Sequence, residues 1–246
     1  MTADPDKETT SLFIAASKTG DPTGSWFLQR FDVGPVSWGD FPSLGLNKNW
    51  VVVTLNMYQR APSPLPEDFV ESHIYVFNKA KLYAGAVAPH TLFRNSAFGF
   101  SPAVDYDNTA DTFYLVQVDS ETLNAQSLRV SSIQGAVGSE TFTPKPGIHT
   151  AAAWAQDAGP GDSLPQLGSS APIDAGDDRI QNCVLRKSSL WCAHTAFSTN
   201  TLRGMVQWWQ IDTPTLQIQQ TGRIDDSTGA NFYAYPSIAV NKNGDM

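Results

Sequence analysis

The sequence predicts an all-β fold assembled from repeated antiparallel units, and two internal likenesses carry the expectation. Phe41–Asn49 reads FPSLGLNKN and Tyr235–Asn243 reads YPSIAVNKN: an aromatic-Pro-Ser opening, a short apolar strand, then an Asn-Lys-Asn break. A segment this short buries nothing alone, so its return implies a unit that hides its faces against neighbours. The second likeness is a hairpin, Leu12–Asp32 against Leu190–Asp212. LFIAAS matches LWCAHT at an offset of 178 residues, and GSWFLQRFD matches GMVQWWQID at 180. The turn has gained two residues while both strands kept their phase. Together these predict a β-propeller of four-stranded antiparallel blades, about four of them in an incomplete ring. A β-sandwich is the rival, because short alternating strands alone fit both.

The elements follow in order. Residues 1–10 read as a disordered tail, and 11–246 as a single propeller. Leu12–Ala16 is a buried strand, Gly20, Asp21, Pro22 and Gly24 make a turn, and Trp26–Val33 alternates as the partner strand. A second unit, near 41–100, holds strands at Leu44–Asn47, Trp50–Asn56 and Ile74–Phe77, with Pro62, Pro64 and Pro66 keeping the loop between them out of any sheet. A third, near 101–172, opens at Ser101-Pro102 and continues through Thr112–Asp119 and Ser127–Ile133. Residues 144–178, rich in Pro, Gly and Ala, read as a long loop with a turn of helix at 149–156. The unit at 173–234 returns to the hairpin, and 235–246 opens a further blade. That last opening either belongs to a longer ring or pairs Ser237–Val240 with Leu12–Ala16 to close a small one.

Composition narrows the function classes. The 246 residues are 41% hydrophobic with seven Trp, enough for a real core, and only 16% are charged. Sixteen basic against 24 acidic residues give a net charge of −8. With no Lys/Arg cluster to offset it, that balance argues against nucleic-acid binding. No apolar run reaches the length that spans a bilayer. The N-terminal MTADPDKETT is neither a signal nor a transit peptide, so the chain is cytosolic or lacks its natural start.

The cysteines help to decide. With Lys187 and Ser188 as the turn of NCVLRKSSLWC, antiparallel pairing sets 186 against 189, 185 against 190, 184 against 191 and Cys183 against Cys192. The two then face each other at a non-hydrogen-bonded site, where cross-strand Cα atoms approach to about 4.5 Å, within disulfide range. A disulfide between them is the expectation, and it implies an oxidising compartment.

Candidate chemistry is sparse. Asp21, Gly24 and Trp26 resemble the Asp-box turn of sialidase-like propellers, S-x-D-x-G-x-x-W, with altered spacing. There Asp caps backbone N–H groups, Gly takes a positive φ and Trp packs between blades, so the expected role is structural. Sialidase chemistry itself needs an Arg cluster, and the eight Arg here are spread thinly. His73, His90, His149 and His194 lie at no metal-ligand spacing from one another. No G-x-S-x-G, HExxH or phosphate-binding glycine loop occurs. Two acidic clusters, Asp105, Asp107 and Asp111 in DYDNTAD and Asp174, Asp177 and Asp178 in DAGDD, are candidate Ca²⁺ ligands. Asx residues also dominate ordinary turns. Otherwise no cofactor is expected. Trp38, Tyr58, Trp154 and Tyr233 read as exposed aromatics at blade loops that could stack on sugars or peptides, and core packing explains most of them equally well.

Ser17–Val33 and Gly39–Tyr58, with the block Ile173–Met246, resemble a group of bacterial secreted propeller proteins. Those proteins carry S-x-[ST]-x-D-P-T-G-x-[WY], then D-[YF]-P-x-[LI]-G-[VL] with an aliphatic run to N-M-[FY], a late W-[YW]-x-[IL], and P/G-S-I-A-[VM]-N-x-x-G-D. The likeness covers Ser17–Tyr58 and Asp174–Met246. It implies a propeller fold, secretion or a cell-surface location, and a chain that is part of a longer protein. It brings no catalytic residues. One departure is Tyr233-Ala234, where the first copy has Gly39-Asp40. The expected function is a non-catalytic extracellular propeller that binds a protein or carbohydrate partner through loops on one face. Two alternatives stand beside it: a glycoside hydrolase or lyase with paired carboxylates about 5 to 10 Å apart, and a structural spacer in a larger surface protein.

Overall fold

The computed structural model describes residues 2–4, 9–34, 37–59, 68–119, 127–151, 153–157 and 164–246. Among these the chain forms fifteen strands and one five-residue helix, an all-β protein. It divides into two compact units: 1–102, 109–113 and 133–142 in the first, 103–108, 114–132 and 143–246 in the second. The Pro62, Pro64 and Pro66 loop lies outside the described residues.

In the first unit, β1 (Thr2–Asp4), β2 (Thr9–Ser17) and β3 (Trp26–Gly34) form a three-stranded antiparallel sheet. Part of the segment expected to be a free tail therefore pairs, Thr2 opposite Ser11. β4 (Ser37–Leu46), β5 (Trp50–Gln59), β6 (Phe69–Asn78) and β7 (His90–Asn95) follow as an antiparallel meander. β5 reads WVVVTLNMYQ, nearly continuous apolar sequence, because both of its faces are covered. Val51, Val53, Leu55 and Met57 pack on one side with Leu12, Ile14, Tyr75, Phe77 and Leu82. On the other, Thr54 donates to the Phe100 carbonyl at 2.8 Å, and the Trp50 indole donates to Glu140 at 3.0 Å.

β4 begins four residues before the expected opening at Phe41, and its ladder skips between Asp40 and Ser43. Phe41 sits there at φ 50°, and Tyr235, its counterpart, also takes φ 50°. The Asn-Lys-Asn breaks match as well. The Asn47 side-chain oxygen accepts from the backbone of Asn49 and Trp50, and that of Asn241 accepts from Asn243, Gly244 and Asp245. A short polar side chain that closes its own turn explains Asn at both places. Ser237–Val240 forms no strand; the Asn182 side chain both donates to and accepts from the Ile238 backbone.

β8 (Ser101–Asp105), β9 (Phe113–Val118), β10 (Ser127–Ala136) and β11 (Ser139–His149) pair in sequence and contribute residues to both units. In the second unit β12 (Ile180–Arg186), β13 (Ser189–Phe197), β14 (Gly204–Asp212) and β15 (Ile218–Ile224) form another antiparallel meander. Lys187 and Ser188 join β12 to β13 with φ 47° and 63°, a tight turn whose twist matches its strands. The register is the expected one, Arg186 with Ser189 through Cys183 with Cys192, and the cysteines form a disulfide with Cα atoms 4.3 Å apart.

The matched hairpins agree residue for residue. Leu12 pairs with Phe31 and Leu190 with Ile211, and Ser17 pairs with Trp26 and Thr195 with Val206. Besides β1, three strands lie where the sequence predicts none. β11 holds Pro144 and Pro146, which read as loop; it pairs with β10 alone, and an edge strand tolerates proline. β7 and β15 are short and alternate weakly. The helix α1 (Lys79–Tyr83) buries one residue, Leu82, too little to leave a period.

Because the disulfide closes a loop of only nine residues of separation, its loss costs at most about 3 kcal/mol. Replacing both cysteines by Ala lowers the urea midpoint by a corresponding amount, and adding reductant to the wild type reproduces the shift.

Candidate functional site

The long segment after β11 folds against the second unit through isolated bridges. Ala155 pairs with Phe197, Asp157 with Asp177 and Leu164 with Ile173. No helical turn forms among the described residues of 149–156. Leu164, Ala175 and Phe197 make a small apolar cluster against which Phe232 and Ala234 pack. Phe232 also lines a cleft of about 330 Å³, with Pro165, Thr201, Leu202, Arg203, Gly229, Ala230 and Asn231.

Two turns build its walls. Ser198–Leu202 closes with Leu202 donating to the Ser198 carbonyl at 2.8 Å, and Leu202 takes φ 54° to do so. Asp212–Leu216 closes identically, Leu216 at φ 56° and 2.8 Å, so the left-handed leucine belongs to this turn type and is not special to the cleft. The other wall is Asp226-Ser227-Thr228-Gly229. Asp226 accepts from the Thr228 backbone at 2.9 Å, from its hydroxyl at 2.7 Å, and from the backbone and amide of Asn231. These bonds, the Thr228 hydroxyl first, hold the exposed Asp226 carboxyl well below the usual carboxylate range. Gly229 takes φ 76°, and a Cβ there would lie 3.2 Å from the Arg203 guanidinium. Arg203 in turn is paired with Asp225 at 2.5 Å.

The same D-x-T-G chemistry occurs at Asp21-Pro22-Thr23-Gly24. Asp21 accepts from the Thr23 backbone at 2.9 Å and from its hydroxyl at 2.7 Å, which lowers the Asp21 pKa. Gly24 donates to the Asp21 carbonyl at 3.2 Å but does not take a positive φ. What constrains it is space, a Cβ lying 3.3 Å from the Asp21 carbonyl. Trp26 is 42% exposed rather than packed away, its indole donating to the Pro22 carbonyl. The Asp-box comparison therefore holds for the aspartate and fails for the glycine and tryptophan.

Neither acidic cluster converges. The Asp105 carboxylate is buried and accepts from the backbone of Asp107 and Asn108, closing a turn. Asp107 is paired with Arg186, and Asp111 with Lys48. Asp174 accepts from Gly176, and Asp177 forms a forked pair with Arg179. Among the described residues no three His, Cys, Asp or Glu side chains are grouped to hold a metal ion. Of the aromatics, Trp38 and Tyr58 stack on each other across β4 and β5, Trp154 is buried, and Tyr233 remains partly exposed.

Asp178 instead turns inward. Trp154 donates to it at 2.7 Å, but burial dominates and pushes its pKa up to about 7. His194 is buried beside the same tryptophan, between Trp154 and Trp209. Its Nδ1 bonds the Thr195 carbonyl at 2.8 Å, yet burial lowers its pKa to about 4. Both groups are neutral at pH 6 and enclosed by rings, which suits a core and not an acid-base pair open to substrate.

The chain matches no family model, no curated protein and no solved structure. The site thus rests on its own residues. Arg203, Asn231 and Phe232 were not singled out in the sequence; the recurrence of D-x-T-G at Asp21 and Asp226 was the available signal.

Asp178 and His194 give opposite pH slopes. Asp178 is protonated in the folded state and ionised in the unfolded chain between about pH 4 and 7, so its contribution falls as pH rises. His194 is neutral when folded and charged when unfolded between about pH 4 and 6.5, so its contribution rises. Each slope approaches about 1.4 kcal/mol per pH unit, and they oppose. Urea unfolding of the wild type is therefore nearly flat from pH 4.5 to 6; Asp178→Asn gains stability with rising pH, and His194→Gln loses it.

Proposed function

We propose that the chain is a non-catalytic, secreted or cell-surface β-propeller, and that the cleft beside the Asp226 turn binds a carbohydrate. The observation that carries the binding reading is the lining itself: an aromatic ring, Phe232, shares about 330 Å³ with the Arg203 guanidinium and the Asn231 amide. Planar polar groups beside an aromatic face suit the alternating hydroxyl edges and C–H faces of a sugar ring, and the volume is at the small end of ligand clefts. The two nearest carboxylates are engaged elsewhere, Asp225 with Arg203 and Asp226 in its own turn. That favours binding over hydrolysis, which needs one carboxyl held protonated opposite a second.

The propeller reading draws support from the serial four-stranded meanders, the equal register of the two hairpins, and the shared φ of Phe41 and Tyr235. Ala103–Asp105 of β8 also runs parallel beside β12, as the first strands of successive blades would around an axis. The disulfide is compatible with an oxidising compartment.

Ala230 is exposed at the cleft mouth, so Ala230→Trp fills the space without touching the core. On a glycan array followed by calorimetric titration, the wild type binds a subset of glycans and Ala230→Trp loses at least tenfold in affinity at an unchanged melting temperature. Equal binding by both proteins contradicts the cleft, and turnover of any bound glycan contradicts the non-catalytic reading.

A further inference from the structure

β3 is an edge strand for a reason written in the chain. The offset between the matched segments is 180 from Asp32 to Asp212 but 194 from Phe41 to Tyr235, a difference of 14 residues. The longer interval holds β15, which covers the outer edge of β14. The shorter one has no such segment, and among the described residues no strand lies on the second edge of β3.

The open groups can be assigned. Cys183 and Cys192, with Cα atoms 4.3 Å apart, are a non-hydrogen-bonded pair, so Cys192 turns its N–H and C=O to Trp209 on β14. Trp208 then turns its own to β15, and the Thr221 hydroxyl indeed donates to the Trp208 carbonyl at 2.9 Å. By the matched register, Gln29 bonds to β2, while Trp26, Leu28, Arg30 and Asp32 direct theirs to the empty side. Edges are normally blunted by charged side chains, Lys above all, by Pro or by a bulge. Trp26–Asp32 has no Lys or Pro, its two charges, Arg30 and Asp32, pair with each other at 3.0 Å, and its ladder with β2 shifts only beyond Ser11. It exposes apolar surface instead: Leu28 is 78% exposed, and Trp26 borders an apolar cleft of about 290 Å³ with Ala16, Leu44, Leu82 and Tyr83.

We propose that the β3 edge takes an extended segment of a partner protein as an antiparallel fourth strand. The chemistry of that segment is read from the strand that fills the equivalent place. Ile224 faces Val206, Gly222 faces Trp208, Thr221 faces Trp209 and Ile218 faces Ile211. Transposed to β3, aliphatic residues stand opposite Trp26 and Phe31, with small or hydroxyl residues between, opposite Leu28 and Gln29. Gly222 is required on β15, opposite Trp208 of β14, because a Cβ there would lie 2.6 Å from the Trp208 indole nitrogen; the smaller Leu28 leaves room for Ala or Ser. Main-chain bonds supply affinity and the alternating side chains supply selection, as in other strand additions. The inference is independent of the carbohydrate cleft.

The probe is the nine-residue peptide QIQQTGRID, the sequence of residues 217–225, titrated into the intact chain. Amide hydrogen exchange slows at Leu28 and Arg30 on binding and is unchanged at Gln29, which is already bonded to β2. Leu28→Pro removes one outward N–H without a β2 bond and weakens the peptide at least tenfold at an unchanged melting temperature. If that variant does not fold, the exchange pattern in the wild type decides alone. Protection of Leu28 and Arg30 in the free monomer, no change at either amide on saturation with peptide, or undiminished binding by a folded Leu28→Pro overturns the proposal. A concentration-dependent dimer that closes the same amides assigns the edge to a second copy and also overturns it.

Discussion

Strand register is the constraint on which the remaining structure depends. In an antiparallel meander a one-residue slip moves every side chain to the opposite face, and here both faces carry meaning. Val184, Trp191 and Ala193 reach the cluster shared with Ile238 and Val240 only in the observed pairing. Cys192 and His194 point the other way, the histidine into the Trp154–Trp209 enclosure. Two devices fix that register from opposite ends: the Lys187–Ser188 turn, which admits one two-residue geometry, and the disulfide four rungs away.

Polar side chains that close their own turns do the equivalent work elsewhere. Asn47, Asn241, Asp21, Asp105, Asp212 and Asp226 each accept from backbone groups two to five residues on. This explains why an acidic chain with so many aspartates gathers so few of them around a common point. A carboxylate that accepts several local N–H groups has its charge satisfied and its orientation set. Asp178 differs, a carboxyl withdrawn from water whose side-chain donor is the Trp154 indole and whose pKa is raised by burial.

The strands, the β12–β13 register and the disulfide were legible because alternation, a two-residue turn and cysteine spacing are local signals. β11 was not, since its prolines read as loop and only its place at an edge makes them harmless. α1 was not, since one buried leucine sets no period. The partners of the acidic clusters were not legible because sequence proximity says nothing about them: Arg186 and Lys48 are 79 and 63 residues from Asp107 and Asp111, with which they pair. The cleft was invisible for the same reason, its lining coming from three separate segments of the chain, at 165, 201–203 and 229–232. Trp154 read as a surface aromatic on a loop, yet the segment it belongs to folds inward and buries it.

The central claim is that the hairpins at 12–32 and 190–212 keep one register despite their different turns and neighbours. The most direct measurement is the pattern of short Hα–Hα distances by nuclear magnetic resonance, which marks non-hydrogen-bonded cross-strand pairs. The account predicts strong contacts between Ala15 and Leu28 and between Ala193 and Trp208, the corresponding pairs of the two hairpins. A contact displaced by one residue in either hairpin, such as Ala16 with Leu28, contradicts it.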